Sequence, residues 1–221
     1  MIQIRLVRIV AWLVFTAISA GSVLAEEQDV EFQENSLPLF DGRSLVGWEG
    51  NAYWFRVENE AIVAGRLTEK IPNNEFLCTT QNYDNFDLRY EAKLIGEGKN
   101  AGVQFRSKRV PNSSEVCGYQ ADIGHAFKRP VWGSLYDESR RRKMLAEPDA
   151  DVARKAVREG KWNRIRVLCE GNRIQIFVND IQTVDYTESE NGIPRFGVIG
   201  LQIHSGLPSE AWYRNIRIRQ L

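Results

Sequence analysis

Between residues 160 and 186 the chain alternates apolar and polar residues twice, with a short break between the two runs. Ile165, Val167 and Cys169 interleave with Arg164, Arg166 and Leu168; Glu170, Gly171 and Asn172 interrupt; then Ile174, Ile176 and Val178 interleave with Gln175, Phe177 and Asn179. A period of two in β-branched residues, punctuated by Gly-Asn and then by Asn179-Asp180, predicts a hairpin followed by a second turn. One face of each strand is apolar and needs a hydrophobic layer against it. The other carries Arg, Gln and Asn, which suits an antiparallel sheet with a wetter side and not a parallel sheet buried on both.

The same period recurs along the chain. Strands are expected over 54–57, 61–63, 76–79, 86–94, 101–107, 118–123, 131–136, 197–204 and 211–221, and the cleanest of them sets Phe86, Leu88, Tyr90 and Ala92 against Asp87, Arg89, Glu91 and Lys93. Only 139–159 has helical composition, with Val152, Ala156 and Val157 on one side of a single short helix. About ten to twelve short strands with turns at short intervals predict an all-β antiparallel sandwich or barrel. The length of 221 residues with 43% hydrophobic content fits one domain over 37–221, preceded by an acidic linker over 26–36.

Residues 1–25 read differently. Arg5 and Arg8 precede an apolar run over 9–20, and Val23 and Ala25 stand where a signal peptidase reads small residues, just before Glu26. The run is shorter than the ~20 residues a membrane span needs. A cleaved signal peptide, no stable membrane insertion afterwards, and a periplasmic or extracellular protein are expected. Zero formal net charge gives no electrostatic footprint for nucleic acid or an anionic membrane. Three cysteines at scattered positions make neither a disulfide scaffold nor a zinc ribbon. Cys169 belongs to the apolar register of its strand, while Cys78 and Cys117 are either a disulfide or free thiols.

The chain holds no nucleophile elbow, phosphate loop or zinc-protease signature, and only two histidines, His125 and His204. What stands out is the polar side of the strands. Gln104 with Arg106, Gln120 with Asp122, and Gln202 with His204 are three i, i+2 pairs, and such pairs project from one face. Neighbouring strands would join them into a polar surface. Tyr119, Trp132, Tyr136, Trp212 and Tyr213 lie near them in sequence, and planar polar groups beside aromatic faces suit a sugar, with its rim of hydroxyls and its C–H faces. The plainer reading is a solvated outer face of an antiparallel sheet.

Seven segments taken in order carry a family resemblance: 39–48 (Leu39, Phe40, Asp41, Gly42 through Trp48), 100–106, 118–122, 160–163, 178–180, 200–204 and 214–218. Together they resemble the successive motifs of the 3-keto-disaccharide hydrolase domain, across nearly all of 37–221. The resemblance implies a concanavalin A-like jelly roll and action on glycosides already oxidised at C3. There the ketone acidifies the C2 proton, a modest base removes it, and the C1–O bond breaks by elimination. Carried onto this chain it implies His204 as general base or metal ligand, Asp122 as its orienting partner or a second ligand of a divalent metal, and Arg106 on the keto oxygen. Glu91, Gln104, Gln120 and Gln202 would bind substrate, with Trp132 and Tyr136 as aromatic walls. The stretches 124–129 and 132–144, which in the resemblance shape the cleft rim, depart from the family pattern with the charged tract Asp137 to Arg142, which leaves the substrate's identity open. A non-catalytic carbohydrate-binding module of lectin type and a structural envelope protein are the competing readings.

Overall fold

Alternation sorts the chain into two layers in a computed structural model, which describes residues 29–221. Within Ser36–Leu221, one compact unit, sixteen strands form two sheets, and every pairing is antiparallel. The first sheet runs, in spatial order, β14 (Ile181–Thr187), β13 (Arg173–Val178), β12 (Asn163–Glu170), β6 (Phe86–Gly96), β16 (Ser209–Gln220), β4 (Ala61–Arg66) and β3 (Phe55–Glu58), with β1 (Leu37–Pro38) added to β16. The second runs β11 (Lys143–Ala146), β10 (Leu135–Glu138), β8 (Val116–Ala126), β7 (Asn100–Arg109), β15 (Val198–Ile203), β5 (Glu75–Thr79) and β2 (Trp48–Glu49), with β9 (Arg129–Pro130) added to β8. Sequence neighbours such as β12 and β13 pair as hairpins. Distant strands such as β6 and β16 pair across more than a hundred residues.

The core lies between the sheets. Phe86, Leu88, Tyr90, Ala92 and Leu94 of β6, with Ile165, Val167 and Cys169 of β12, meet Ala101, Val103 and Phe105 of β7 and Leu201 and Ile203 of β15 in one buried cluster. Each fully buried Val, Leu or Ile contributes about 1.5–3 kcal/mol. That burial sets which face of every strand turns inward.

The antiparallel sandwich agrees with the expected class. Among the described residues, helix is confined to 29–35, inside the expected linker, and to Ala150–Ala156. One local expectation is corrected, and one alternative left open is resolved. The strand expected over 131–136 begins only at Leu135, because Val131 to Ser134 close a turn, with Ser134 N donating to Val131 O at 3.0 Å. Cys78, Cys117 and Cys169 are all unpaired, so the Cys78–Cys117 disulfide is not formed. The expected signal peptide, 1–25, lies outside the described residues. Among the described residues no helix is long and apolar enough to cross a membrane.

Candidate functional site

Strand register decides which of the singled-out side chains meet. Gly200, Gln104, Gln120 and Tyr136 form one row across β15, β7, β8 and β10, and Gln202, Gly102 and Asp122 form the next. His204 follows one row further on: its backbone N–H donates to Asn100 O at 3.3 Å. The neighbours alternating with these residues, among them Val103, Ala121, Ile123 and Leu201, are in the inter-sheet core. Gln104, Gln120, Asp122, Gln202 and His204 therefore share the outer face of the second sheet.

On that face the polar groups are linked. Ser107 Oγ lies 3.1 Å from Gln104 Oε1, Gln104 Nε2 donates to Gln120 Oε1 at 2.5 Å, and Gln120 Nε2 donates to Asp122 Oδ1 at 2.5 Å. The last two side chains can lie flat because position 102 is glycine. A Cβ there would come within 2.5 Å of the Gln120 amide carbon.

The row is also dry. Gln104 and Gln202 are fully buried, and Gln120 and Asp122 are only 2% and 5% exposed. Burial raises the Asp122 carboxyl to about 8; the charges of Glu138 and Glu147 push the same way, and the Gln120 hydrogen bond opposes them. Near neutral pH Asp122 is thus a neutral acid whose Oδ1 accepts from Gln120. Its proton sits on the other oxygen.

His204 is half-buried, and its Nδ1 lies 2.7 Å from Ser205 O. A carbonyl only accepts, so Nδ1 carries the hydrogen and, in the neutral ring, Nε2 keeps a free lone pair. Glu138, at the end of β10, sits among these groups. Burial raises its carboxyl, the Glu115 charge adds to the rise, and the His204 imidazole and Ser139 oppose it.

Three of the expected site residues lie elsewhere. A bulge between Phe105 and Lys108 puts Arg106 at φ 47°, turns it off the outer face and gives its place beside Gln104 to Ser107. The Arg106 guanidinium then donates to Asp84 O, Gly171 O and Asn85 Oδ1 at 2.8, 2.8 and 3.0 Å. Glu91 belongs to the first sheet, where Arg214 and Asn215 hold its carboxylate. Trp132 is a core residue, 1% exposed. Tyr136 does share the row of Gln120.

Ser107 and Glu138 were not singled out in the sequence. Glu138 continues the i, i+2 alternation from Tyr136 and could have been found by it; Ser107 depends on the bulge, which no local signal announces. Among the described residues no group of three or more His, Cys, Asp or Glu side chains gathers to hold a metal. Gln120 occupies Asp122 Oδ1 and a backbone carbonyl occupies His204 Nδ1.

Two antiparallel sheets, with a polar face on one of them, define the class: a galectin-like or jelly-roll sandwich of the kind shared by glycosyl-hydrolase-like proteins and carbohydrate-binding modules. A proposed glycosyl hydrolase from Parabacteroides distasonis has this fold (TM-score 0.64, 18% identity, covering 87% of this chain and 97% of that one). So does a second from the same organism (TM-score 0.61, 23% identity, 84% and 99%), and so does a carbohydrate-binding module from Bacillus subtilis (TM-score 0.56, 14% identity, 79% and 96%). No curated protein matches the chain. The family model of the 3-keto-α-glucoside-1,2-lyase-like domain matches residues 35–219, and the chain belongs to that family.

Proposed function

We propose that this protein is an exported enzyme that cleaves 3-keto-glycosides at the outer face of the second sheet. The supporting observation is that this face offers a base and an acid together: the His204 imidazole with Nε2 free, and an Asp122 carboxyl held protonated by burial. His204 Nε2 takes the C2 proton, and the C2–H electron pair forms the C1–C2 double bond. The C1–O bond breaks, and Asp122 gives its proton to the departing oxygen. A keto group at C3 makes the C2 proton acidic enough for an imidazole, so no strongly activated nucleophile is needed. Amide groups along the row hold the sugar's oxygens. Water adding to the resulting enone completes a hydrolysis; release without addition makes the enzyme a lyase.

The test is turnover of an aryl 3-keto-α-glucoside by the purified protein, followed as release of the phenol. His204→Ala is expected to lower kcat at least about 100-fold, the scale of one acid–base group, while leaving the fold intact by circular dichroism. Full activity in that variant removes His204 from the mechanism.

A second reading is a non-catalytic carbohydrate-binding module, supported by the fold shared with the Bacillus subtilis carbohydrate-binding module. Under it, sugar binding is seen with no product formed, and binding survives His204→Ala.

A further inference from the structure

The outer face of a two-layer sandwich normally meets solvent, yet here its polar row is sealed. The tip of the β7–β8 hairpin, residues 109–116, folds back across that face. Val116 packs on Phe76 and Cys78 of β5, and these two pair with Gln202 and Gly200 and so stand on the same outer side. Glu115 then reaches two other loops: its Oε1 accepts from Asn74 Nδ2 at 3.2 Å and its Oε2 from Ser139 Oγ at 3.2 Å. Asn74 in turn holds Ser205 N, next to His204.

The tip is not packed solid against the sheet. A hollow of about 340 Å³ opens beside it, lined by Asn51, Phe76, Arg109 and Ser113 among others. On the sealed face, Gln202 is fully buried and neither its Nε2 nor its Oε1 has a hydrogen-bond partner. A buried primary amide with both ends unpaired is costly to keep. Its neighbours do not supply the missing bonds: across the strands it faces Phe76 and Gly102.

We propose that the 109–116 hairpin tip is a strap that must lift from the outer face before a sugar enters, and that the Gln202 carboxamide is the group that then reads the sugar. The role of Gln202 rests on the saccharide reading of this face; the strap does not. A carboxamide sets one donor beside one acceptor. A 3-keto-sugar offers the complement, a carbonyl oxygen at C3 that only accepts beside a hydroxyl at C4 that can donate. The strap closing behind it would keep water from the double bond until the leaving group has its proton.

Cys78 reports the strap, since it is buried beneath Val116. In a Cys117→Ser background, Cys78 labelling by N-ethylmaleimide is measured under native conditions, with inter-sheet Cys169 as the internal reference for global unfolding. Glu115→Ala and Asn74→Ala are each expected to speed Cys78 labelling about tenfold relative to Cys169. Equal rates for the two thiols in both variants overturn the strap, because the tip then opens only when the whole domain does.

For Gln202, the variant is Gln202→Leu, of similar size. It is expected to melt at or above the wild-type temperature, since two unpaired polar atoms are removed, and to bind methyl 3-keto-α-glucoside at least about tenfold more weakly. Undiminished binding, or a clear drop in melting temperature, overturns the role of Gln202. Wild-type protein that does not bind this sugar defeats the saccharide reading and the Gln202 role together, and leaves the strap to be judged by the labelling.

Discussion

Asp122 shows how much a single position can mean. As a carboxylate it would be a poor neighbour for a dry amide row, and burial accordingly raises it to about 8. The consequence for stability has a definite sign. An acid whose folded pKa lies above its unfolded one holds a proton in the folded state that the unfolded chain has lost, so its contribution is complete below about 4 and declines as pH rises toward about 8. Relative to Asp122→Asn, which cannot ionise, the wild type is expected to lose stability across that window at up to about 1.4 kcal/mol per pH unit. Denaturation at a series of pH values checks it; a difference that does not change between pH 4 and 8 would mean that Asp122 is ionised in the fold. Under the proposed mechanism the same proton goes to the leaving group, so kcat/KM is expected to fall as pH passes about 8.

At the scale of elements, β7 carries the lesson. Its period of two places Val103 and Phe105 inward and Gln104 outward, as read from the chain, and the next step by the same rule would place Arg106 outward. The bulge breaks the rule after one more residue. Arg106 is 2% exposed, and its guanidinium binds two backbone carbonyls and Asn85 beside the first sheet, so it staples the layers instead of meeting a substrate. Arg106→Met is expected to cost about 3 kcal/mol in denaturant unfolding, because it removes the three hydrogen bonds of a buried guanidinium. Were Arg106 instead a substrate contact, the variant would keep wild-type stability and lose only affinity. Gln104, Gln120, Asp122, Gln202 and His204 were legible because they follow an unbroken alternation. Glu91 matched the family pattern but lies in the other sheet, and Trp132 turns into the core because residues 131–134 form a turn where a strand was expected.

Across the whole molecule, a second arginine joins the sheets at the other side of β8. Arg141, in the turn after β10, bonds Asp137 of the second sheet together with Glu188 and Glu190, which follow β14 of the first. Tyr119 of β8 adds a hydrogen bond to Glu188 at 2.7 Å. Burial would raise the Glu188 carboxyl, but the Arg141 and Tyr119 hydrogen bonds outweigh it and bring it down to about 2. An acid lowered in the fold stabilises above its ordinary range and loses that contribution as pH falls through its folded value. Arg141→Met is therefore expected to be less stable than wild type at neutral pH, with the gap closing as pH drops from about 4.5 toward 2. A gap that stays constant through that window would show that Glu188 does not depend on Arg141. The charged tract over 137–142, which interrupts the family motifs, is thus in part a structural tie: Asp137 is fully buried, with Arg140 and Arg141 bonded to it.

The period of two, the turn residues and the order of short motifs determined by themselves that this chain makes antiparallel strands with one apolar side, because side-chain direction along a strand is a local property. They equally determined which glutamines share a face with Asp122 and His204. Only the tertiary structure decided that the tip of its own hairpin crosses this face, that Arg106 leaves it, and that burial pushes the Asp122 carboxyl up. Those outcomes depend on burial and on contacts between segments far apart in the chain, and neither is written into any short stretch of it.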